Sequence, residues 1–406
     1  MLHRILPSGI AHGAYGLRSP ALFLLIASAA MQLSFAAWWT LLNNFAVEIV
    51  HASGREIGIQ QSIREIPGLL GFTAVFWLLF LREQTFALLA LALLGAGIAI
   101  TGHFTSLTGF YLTTLLMSFG FHYYENMSQS LALQWLDKKS APVWLGRIVA
   151  AGAMAQLATY AVVFIGFRAF DIGYAAAFAV AGGLTLAVTL ALWLLFPRFK
   201  EEIPQRRHLV LRTRYWLYYA LTFMQGARRQ IFSVFAGFMM VAQFKFAVHE
   251  VALLFLVNCT LNMLFAPRLG ALIARFGERW SMTGENLLLI GVFVGYALVE
   301  NPWVAAGLYI VDGTSYTLGI AIKTYFQKIG DPADMAPTAG VGGSINHIAA
   351  VFIPAGLGLV WVFHPDWVFL IGAGFAATSL VLARLVPLDP APGRETVLTP
   401  APQAAE

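Results

Sequence analysis

The chain has 406 residues, of which 59% are hydrophobic and only 11% charged. A soluble domain carries roughly a quarter charged residues, so this composition cannot clothe a water-facing surface of its own size. About 240 apolar side chains at ~20 per transmembrane helix allow at most about twelve spans, and exclude a large extramembrane catalytic module. The single cysteine, Cys259, permits no intrachain disulfide. A net charge of +5 suits a polyanion partner in a soluble chain, but in a membrane chain basic residues gather in cytoplasmic loops, so no nucleic-acid partner is implied.

Apolar stretches broken by charge, Pro or Gly predict helices over 20–48, 57–81, 85–102, 108–136, 142–166, 173–197, 215–240, 248–267, 281–299, 302–324, 340–363 and 367–385. A bilayer admits only helices or closed barrels, and runs this long exclude the alternation of barrel strands. The expected fold class is therefore all-α, an integral membrane protein of twelve spans. Ala21 to Ala30 looks like the end of a cleaved signal peptide, yet the apolar run continues past Trp38 and Trp39, so it reads as a retained first helix. With the N-terminus inside, nineteen Lys and Arg fall on cytoplasmic segments and three (Arg55, Arg168, Lys245) on external loops, while Arg64, Arg228 and Arg229 lie within spans. That asymmetry obeys the positive-inside rule and predicts cytoplasmic termini.

The charged stretch 198–214 divides the chain into six-helix bundles at 1–197 and 215–388 and reads as a cytoplasmic linker, with an anionic-lipid patch as its alternative. The Pro- and Ala-rich tail 389–406 lacks apolar periodicity and reads as disordered. Spans 3, 6 and 12 carry no polar side chain at membrane depth beyond Ser or Thr, and span 9 has Glu285 and Asn286 only near its cytoplasmic end. Every third helix is bland. Such a rule implies nested three-helix repeats, each with two lining helices and one facing lipid.

The chain resembles the Major Facilitator Superfamily of secondary transporters over residues 15–388. One local motif supports the resemblance: Gly270 to Arg279 reads GALIARFGER, and Gly270, Leu272, Arg275, Gly277 and Arg279 match the family's loop signature between helices 8 and 9, with Ala274 in place of its acid. Glycines there permit a tight turn, and the arginines can bind helix C-termini or carboxylates in one gating state. The copy expected between helices 2 and 3 is absent. Span 4 lacks the intramembrane Arg of many proton-coupled members, and span 5 has Gly146 and Gly152 without the antiporter proline. The resemblance implies a monomeric, multi-pass protein of the bacterial inner membrane with no cofactor or metal.

Charged and polar groups at membrane depth are costly and so mark candidate sites. Arg228 and Arg229 in span 7 point about 100° apart, so one at most faces a cavity squarely. Asp312 in span 10 and Glu125 in span 4 are their expected counter-charges. Arg64 and Glu65 in span 2 precede Pro67 and Gly68, which loosen the helix, and could gate with span 11 or span 7. His122, Glu125 and Gln129 form a stripe at helical spacing. Asn43, Asn44, Asn346 and His347 add hydrogen-bonding groups that interhelical contacts alone could explain. No nucleophile elbow, phosphate loop or metal constellation appears. The expectation is a secondary transporter of a small solute, coupled to protons or another ion and tilted by its arginines toward organic anions. Efflux of drug-like or cationic compounds through Asp312 or Glu125 is the alternative, ahead of a membrane enzyme or a scaffold.

Overall fold

The computed structural model describes residues 18–136, 141–199, 211–331 and 334–398. Helix α1 (Pro20–Glu48) starts where Ser19 Oγ accepts the Leu22 N–H at 3.3 Å and Pro20 pre-sets the first turn. A capping box of Ser53 and Glu56 begins α2 (Gly54–Leu69). Beyond Pro67 the chain tightens into a 3-10 turn (Leu70–Thr73) before the short α3 (Ala74–Trp77). Then follow α4 (Glu83–Thr101), α5 (Leu107–Trp135), α6 (Ala141–Ala169), α7 (Tyr174–Leu195) and α8 (Trp216–Gln230). A π-helical turn (Ile231–Ala236) joins α8 to α9 (Gly237–Ala242). The remainder is α10 (Val248–Phe276), α11 (Glu278–Leu298), α12 (Pro302–Ser315), a 3-10 turn (Tyr316–Gly319), α13 (Ile320–Ile329), α14 (Met335–Phe363) and α15 (Pro365–Arg384). Among the described residues the only extended pairing is an isolated bridge between Ala391 and Arg394.

Eight of these helices, α1, α4, α6, α7, α10, α11, α14 and α15, are long and apolar enough to cross a bilayer. The segments that fall short have a common cause. Three are broken, by the turns that follow α2, α8 and α12, and the fourth, α5, carries the polar run from His122 to Gln129. Val149, Leu194, Phe352 and Val381 are all more than 60% exposed, a belt too apolar for water and suited to lipid.

Helix α1 packs on α6 and α7, and α4 on α5 and α7; later in the chain α11 packs on α15, and α8 on α14 and α15. The early and late helices meet where α2 lies along α14 and α6 along α10. One continuous buried core spans both groups, with Phe45, Phe110 and Phe178 clustered in the early helices and Phe235, Trp361 and Phe369 in the late ones. A smaller core around Tyr215, Met282, Tyr325 and Val386 closes the opposite end of the late helices.

The end of the expected linker and the stretch after α15 dock beside that smaller core. Most of the expected linker, residues 200–210, lies outside the described residues, but its end is anchored: Arg212, Arg214 and the Tyr215 hydroxyl all bond Asp334 at the start of α14, the latter two at 3.3 and 3.0 Å. The stretch 389–398, read from composition as disordered, folds back instead. The Tyr325 hydroxyl donates to the Glu395 carbonyl, and the Val397 N–H bonds the Leu385 carbonyl at 2.9 Å. Burial of Pro390, Glu395 and Thr396 explains this order better than composition could. Hydrogen bonding from Arg212, reinforced by Tyr215 and Arg214, holds the Asp334 carboxyl below the usual carboxylate range. A lowered carboxylate pKa stabilises the fold above the unfolded value and ceases to do so as pH falls through the folded one. Asp334→Asn is therefore expected to melt below the parent at neutral pH, with the two melting curves converging once pH drops beneath the carboxylate range.

Candidate functional site

Arg228 and Arg229 occupy the last turn of α8, just before the π turn, and the helical rotation between them sends them to different surroundings. Arg228 is 4% exposed and turns to α11, where its Nη1 donates to Asn286 Oδ1 at 2.6 Å and its Nη2 lies 3.6 Å from Glu285 Oε1. The expected counter-charges were Asp312 and Glu125; the ion-pair partner is Glu285, from the ninth predicted span. That span is thus neither bland nor peripheral at this depth, because Glu285 and Asn286 are both buried against α8. Asp312, in α12, is also buried and experiences the charges of Arg228 and Glu285. Arg229 is exposed, and its guanidinium carbon sits 5.4 Å above the Tyr316 ring, a cation–π arrangement. Arg228, Arg229, Glu285, Asp312 and Tyr316 line a narrow cleft together with Gln225, Phe232 and Ser315.

A second polar cluster lies between α2, α5 and α14. Arg64 and Glu65 are buried and ion-paired with each other, Arg64 Nε donates to Gln61 Oε1 at 2.8 Å, and its guanidinium carbon lies 5.1 Å from the Trp39 ring centroid. Glu65 Oε2 meets His347 Nδ1 across the helix boundary at 3.0 Å, so of the two expected gate partners it is span 11 that makes the contact. His122 stacks edge-on to His347 with ring centroids 5.1 Å apart, and its buried Nε2 has no partner among the described residues. Gly68 makes room for both rings: a Cβ there would lie 2.4 Å from His347 Cε1 and 2.8 Å from His122 Cε1.

The His122, Glu125 and Gln129 stripe divides, with His122 buried and the two others exposed. Glu125, though exposed, lies within electrostatic reach of His347, Arg229, Glu65 and Arg64, from α14, α8 and α2. The asparagines act between helices. Asn44 Nδ2 donates to the Phe246 carbonyl at 2.7 Å, Asn43 packs on Gly237, and Asn346 packs on Gly226. In the loop motif only Gly277 makes a turn, at φ +79°. Helix α10 runs on to Phe276, past the expected end at 267, so Gly270, Leu272 and Arg275 are helical. Arg275 lies over the Phe276 ring at 5.5 Å, Arg279 Nε is buried without a partner among the described residues, and the intervening Glu278 bonds Lys328 at 2.9 Å.

Sequence reasoning counts Glu285 among the charges within the spans but gives neither it nor Asn286 a role at the site, and it passes over Tyr316. The two former carried a usable signal, as a charge and an amide side by side in an apolar helix. Tyr316 gave none, since its place depends on the 3-10 turn that begins with it.

No protein-family model matches the chain, and no curated protein matches it. Solved structures do. The chain aligns with a point mutant of the nucleoside transporter NupG at TM-score 0.73 and 18% identity, over 90% of this chain and 99% of that one. A bacterial homologue of the human lysosomal transporter Spinster, inward-facing and occupied, aligns at 0.69 and 15%, over 89% and 95%. The POT family transporter PepTSo aligns at 0.71 and 12%, over 91% and 97%. The chain has the fold of Major Facilitator Superfamily transporters, as the sequence resemblance implied.

Removing Arg228 leaves two buried carboxylates without a cation, whereas removing Arg229 breaks no ion pair among the described residues. Arg228→Gln is expected to lose about 3 kcal/mol of stability, as for other broken buried pairs, and Glu285→Gln in the same chain to restore most of it. Arg229→Gln should fold like the parent; thermal unfolding of the detergent-purified proteins checks all three.

Proposed function

We propose that the chain is a secondary transporter that carries a small solute across a bacterial cytoplasmic membrane by alternating access, as a monomer. In this reading twelve spans form two bundles, 1–197 and 215–388, joined by a cytoplasmic linker, with both termini cytoplasmic. One observation carries the reading: Arg64 and Glu65 of α2, Glu125 of α5 and Arg229 of α8 lie within electrostatic reach of one another, and Glu65 meets His347 of α14 at 3.0 Å, so that the polar groups gather where the two groups of helices meet. A midplane site at the interface of two helical repeats is what alternating access needs. Solved structures of like fold include nucleoside and peptide transporters, which supports a small organic solute.

Arg229 favours an organic anion. It is exposed in the cleft, it stands over an aromatic ring, and among the described residues no carboxylate forms a salt bridge with it. A guanidinium so placed can take a carboxylate in a forked pair. The driving force in this reading is a proton or ion gradient. Efflux of a cationic compound is the second reading, favoured by the excess of acid where Glu285 and Asp312 share one arginine.

Alternating access also needs a seam that opens, and α2 offers one face for it. Gly54 packs on Trp361, Gly58 on Pro354 and Gly358, Ser62 Oγ accepts the Ala355 N–H at 3.1 Å, and Glu65 and Gly68 meet His347. These positions recur at helical spacing and meet α14 in antiparallel order. Arg275 and Arg279 of the loop motif would take new partners when the seam opens.

Uptake into proteoliposomes over a panel of carboxylates and organic cations, with and without a pH gradient, tests the transport reading. Arg229→Gln is expected to lower anion uptake at least about tenfold, equivalent to roughly 1.4 kcal/mol; if Arg228→Gln and Arg229→Gln both left it unchanged, the anion site would be wrong. The seam has its own test. A Cβ at Gly58 would fall 2.3 Å from the Pro354 carbonyl oxygen, so Gly58→Ala should hold the seam apart. In a Cys259→Ser background, Ser62→Cys should react several-fold faster with an impermeant maleimide when Gly58→Ala is present. Gly374→Ala, where a methyl meets nothing within 4 Å, should not change the rate.

A further inference from the structure

We infer that Glu285 and Asp312 together form a binding site for a single monovalent cation, a proton or a sodium ion, held beside Arg228. The inference deepens the transport reading by naming the site and the charge of the coupling ion.

The argument begins with a count of charge. Arg228, Glu285 and Asp312 are 4%, 3% and 5% exposed, and as ionised groups they leave one negative charge in excess inside a low-dielectric environment. Such an excess is not tolerated at membrane depth without a neutralising partner. Among the described residues no other charge supplies it. The charges acting on Asp312 are those of Arg228 and Glu285, whereas Arg229 is turned toward Tyr316 and acts on Glu125 and Arg64. The other titratable groups that face the pair are the phenols of Tyr296 on α11, Tyr309 on α12 and Tyr316 in the following turn, none of them a cation in any protonation state. Helix α10 contributes the amides Asn258 and Asn262, which bond the Tyr309 and Gly313 carbonyls at 3.5 and 3.2 Å.

Unfilled oxygens mark where the cation would sit. Glu285 Oε2 and Asp312 Oδ2 are both buried with no hydrogen-bond partner among the described residues, and both side chains line the cleft. An isolated buried carboxylate oxygen is costly, and a proton or a hard cation removes that cost. The Ser315 hydroxyl and the Gln225 amide line the same space and offer further oxygen ligands. Helix α12 breaks directly after Ser315 into a 3-10 turn, and broken helices at membrane depth present backbone carbonyls of the kind that hold coupling ions in transporters.

Proton and sodium carry the same charge, so two arms of one experiment distinguish them. The purified full-length protein is examined in detergent without substrate, by radioactive sodium binding and by thermal unfolding. Unfolding is followed over pH without sodium, and at alkaline pH over sodium chloride, with choline chloride holding ionic strength fixed. The sodium arm expects saturable binding of a single ion per chain and a melting temperature that rises with sodium. The proton arm expects no sodium binding and a melting temperature that falls as pH rises. Asp312→Asn and, independently, Glu285→Gln each leave Arg228 with one carboxylate and a neutral cluster, so each should abolish whichever dependence the parent shows. Either variant alone suffices if the other fails to fold. A parent that binds no sodium and whose melting temperature neither rises with sodium nor falls as pH rises would overturn the site, as would such a rise or fall that both variants retain. None of these readouts requires transport, so failure here leaves the solute reading standing, and failure of solute uptake leaves the cation site decided on its own terms.

Discussion

A guanidinium at membrane depth cannot stand alone, and much of the late half of this protein is arranged around that constraint. Arg228 is held by Asn286 and Glu285, which draws α11 against α8. Asp312 joins them from α12 and shares the same cation. Arg229, next in sequence, is kept out of this cluster by the geometry of the helix alone, and a π turn follows immediately. One arginine is committed to structure, and its neighbour is left facing the cleft.

The early half meets the same constraint differently. Arg64 and Glu65 are consecutive residues that neutralise each other, so the pair can be buried without drawing on another helix for charge. What Glu65 shares with α14 is a hydrogen bond to a histidine, a weaker and more easily broken contact than a buried ion pair. The two halves therefore keep their full charges mostly to themselves and meet through glycines, a serine, a histidine and the Phe246 carbonyl. Contacts of that kind can part and reform without exposing an unpaired charge to lipid.

Much of the helical fold was legible in the sequence because the length of an apolar helix is dictated by the bilayer. The helix boundaries differ mostly by a few residues, and the loosening after Pro67 takes the form of a 3-10 turn one helical step later. What pattern could not supply was the break after Ser315 or the π turn after Gln230, since neither sequence contains a proline and both depend on how neighbouring helices pack. The site was legible as a set of residues and illegible as a set of pairs. Arg228, Arg229 and Asp312 announce themselves as charges in apolar helices. That Arg228 belongs with Glu285 depends on the rotation of α11, where two adjacent polar residues near a helix end looked like an interfacial edge. The tail misled for a related reason, because Pro- and Ala-rich composition says nothing of a surface waiting to receive it.

The polar or broken segments have a consequence for how the chain is made. Each span leaves the insertion machinery in order, and α8 emerges carrying two arginines before α11, with the carboxylate that neutralises one of them, has been synthesised. For that interval Arg228 has no native partner, and insertion of α8 is unfavourable by at least ~2.5 kcal/mol per arginine on translocon scales. The apolar helix α10 that follows can retain the growing chain in the membrane, but α8 can settle only once α11 arrives. In the proposed topology, biogenesis of the second half is therefore coupled across several segments of sequence through the ion pair seen in the finished protein.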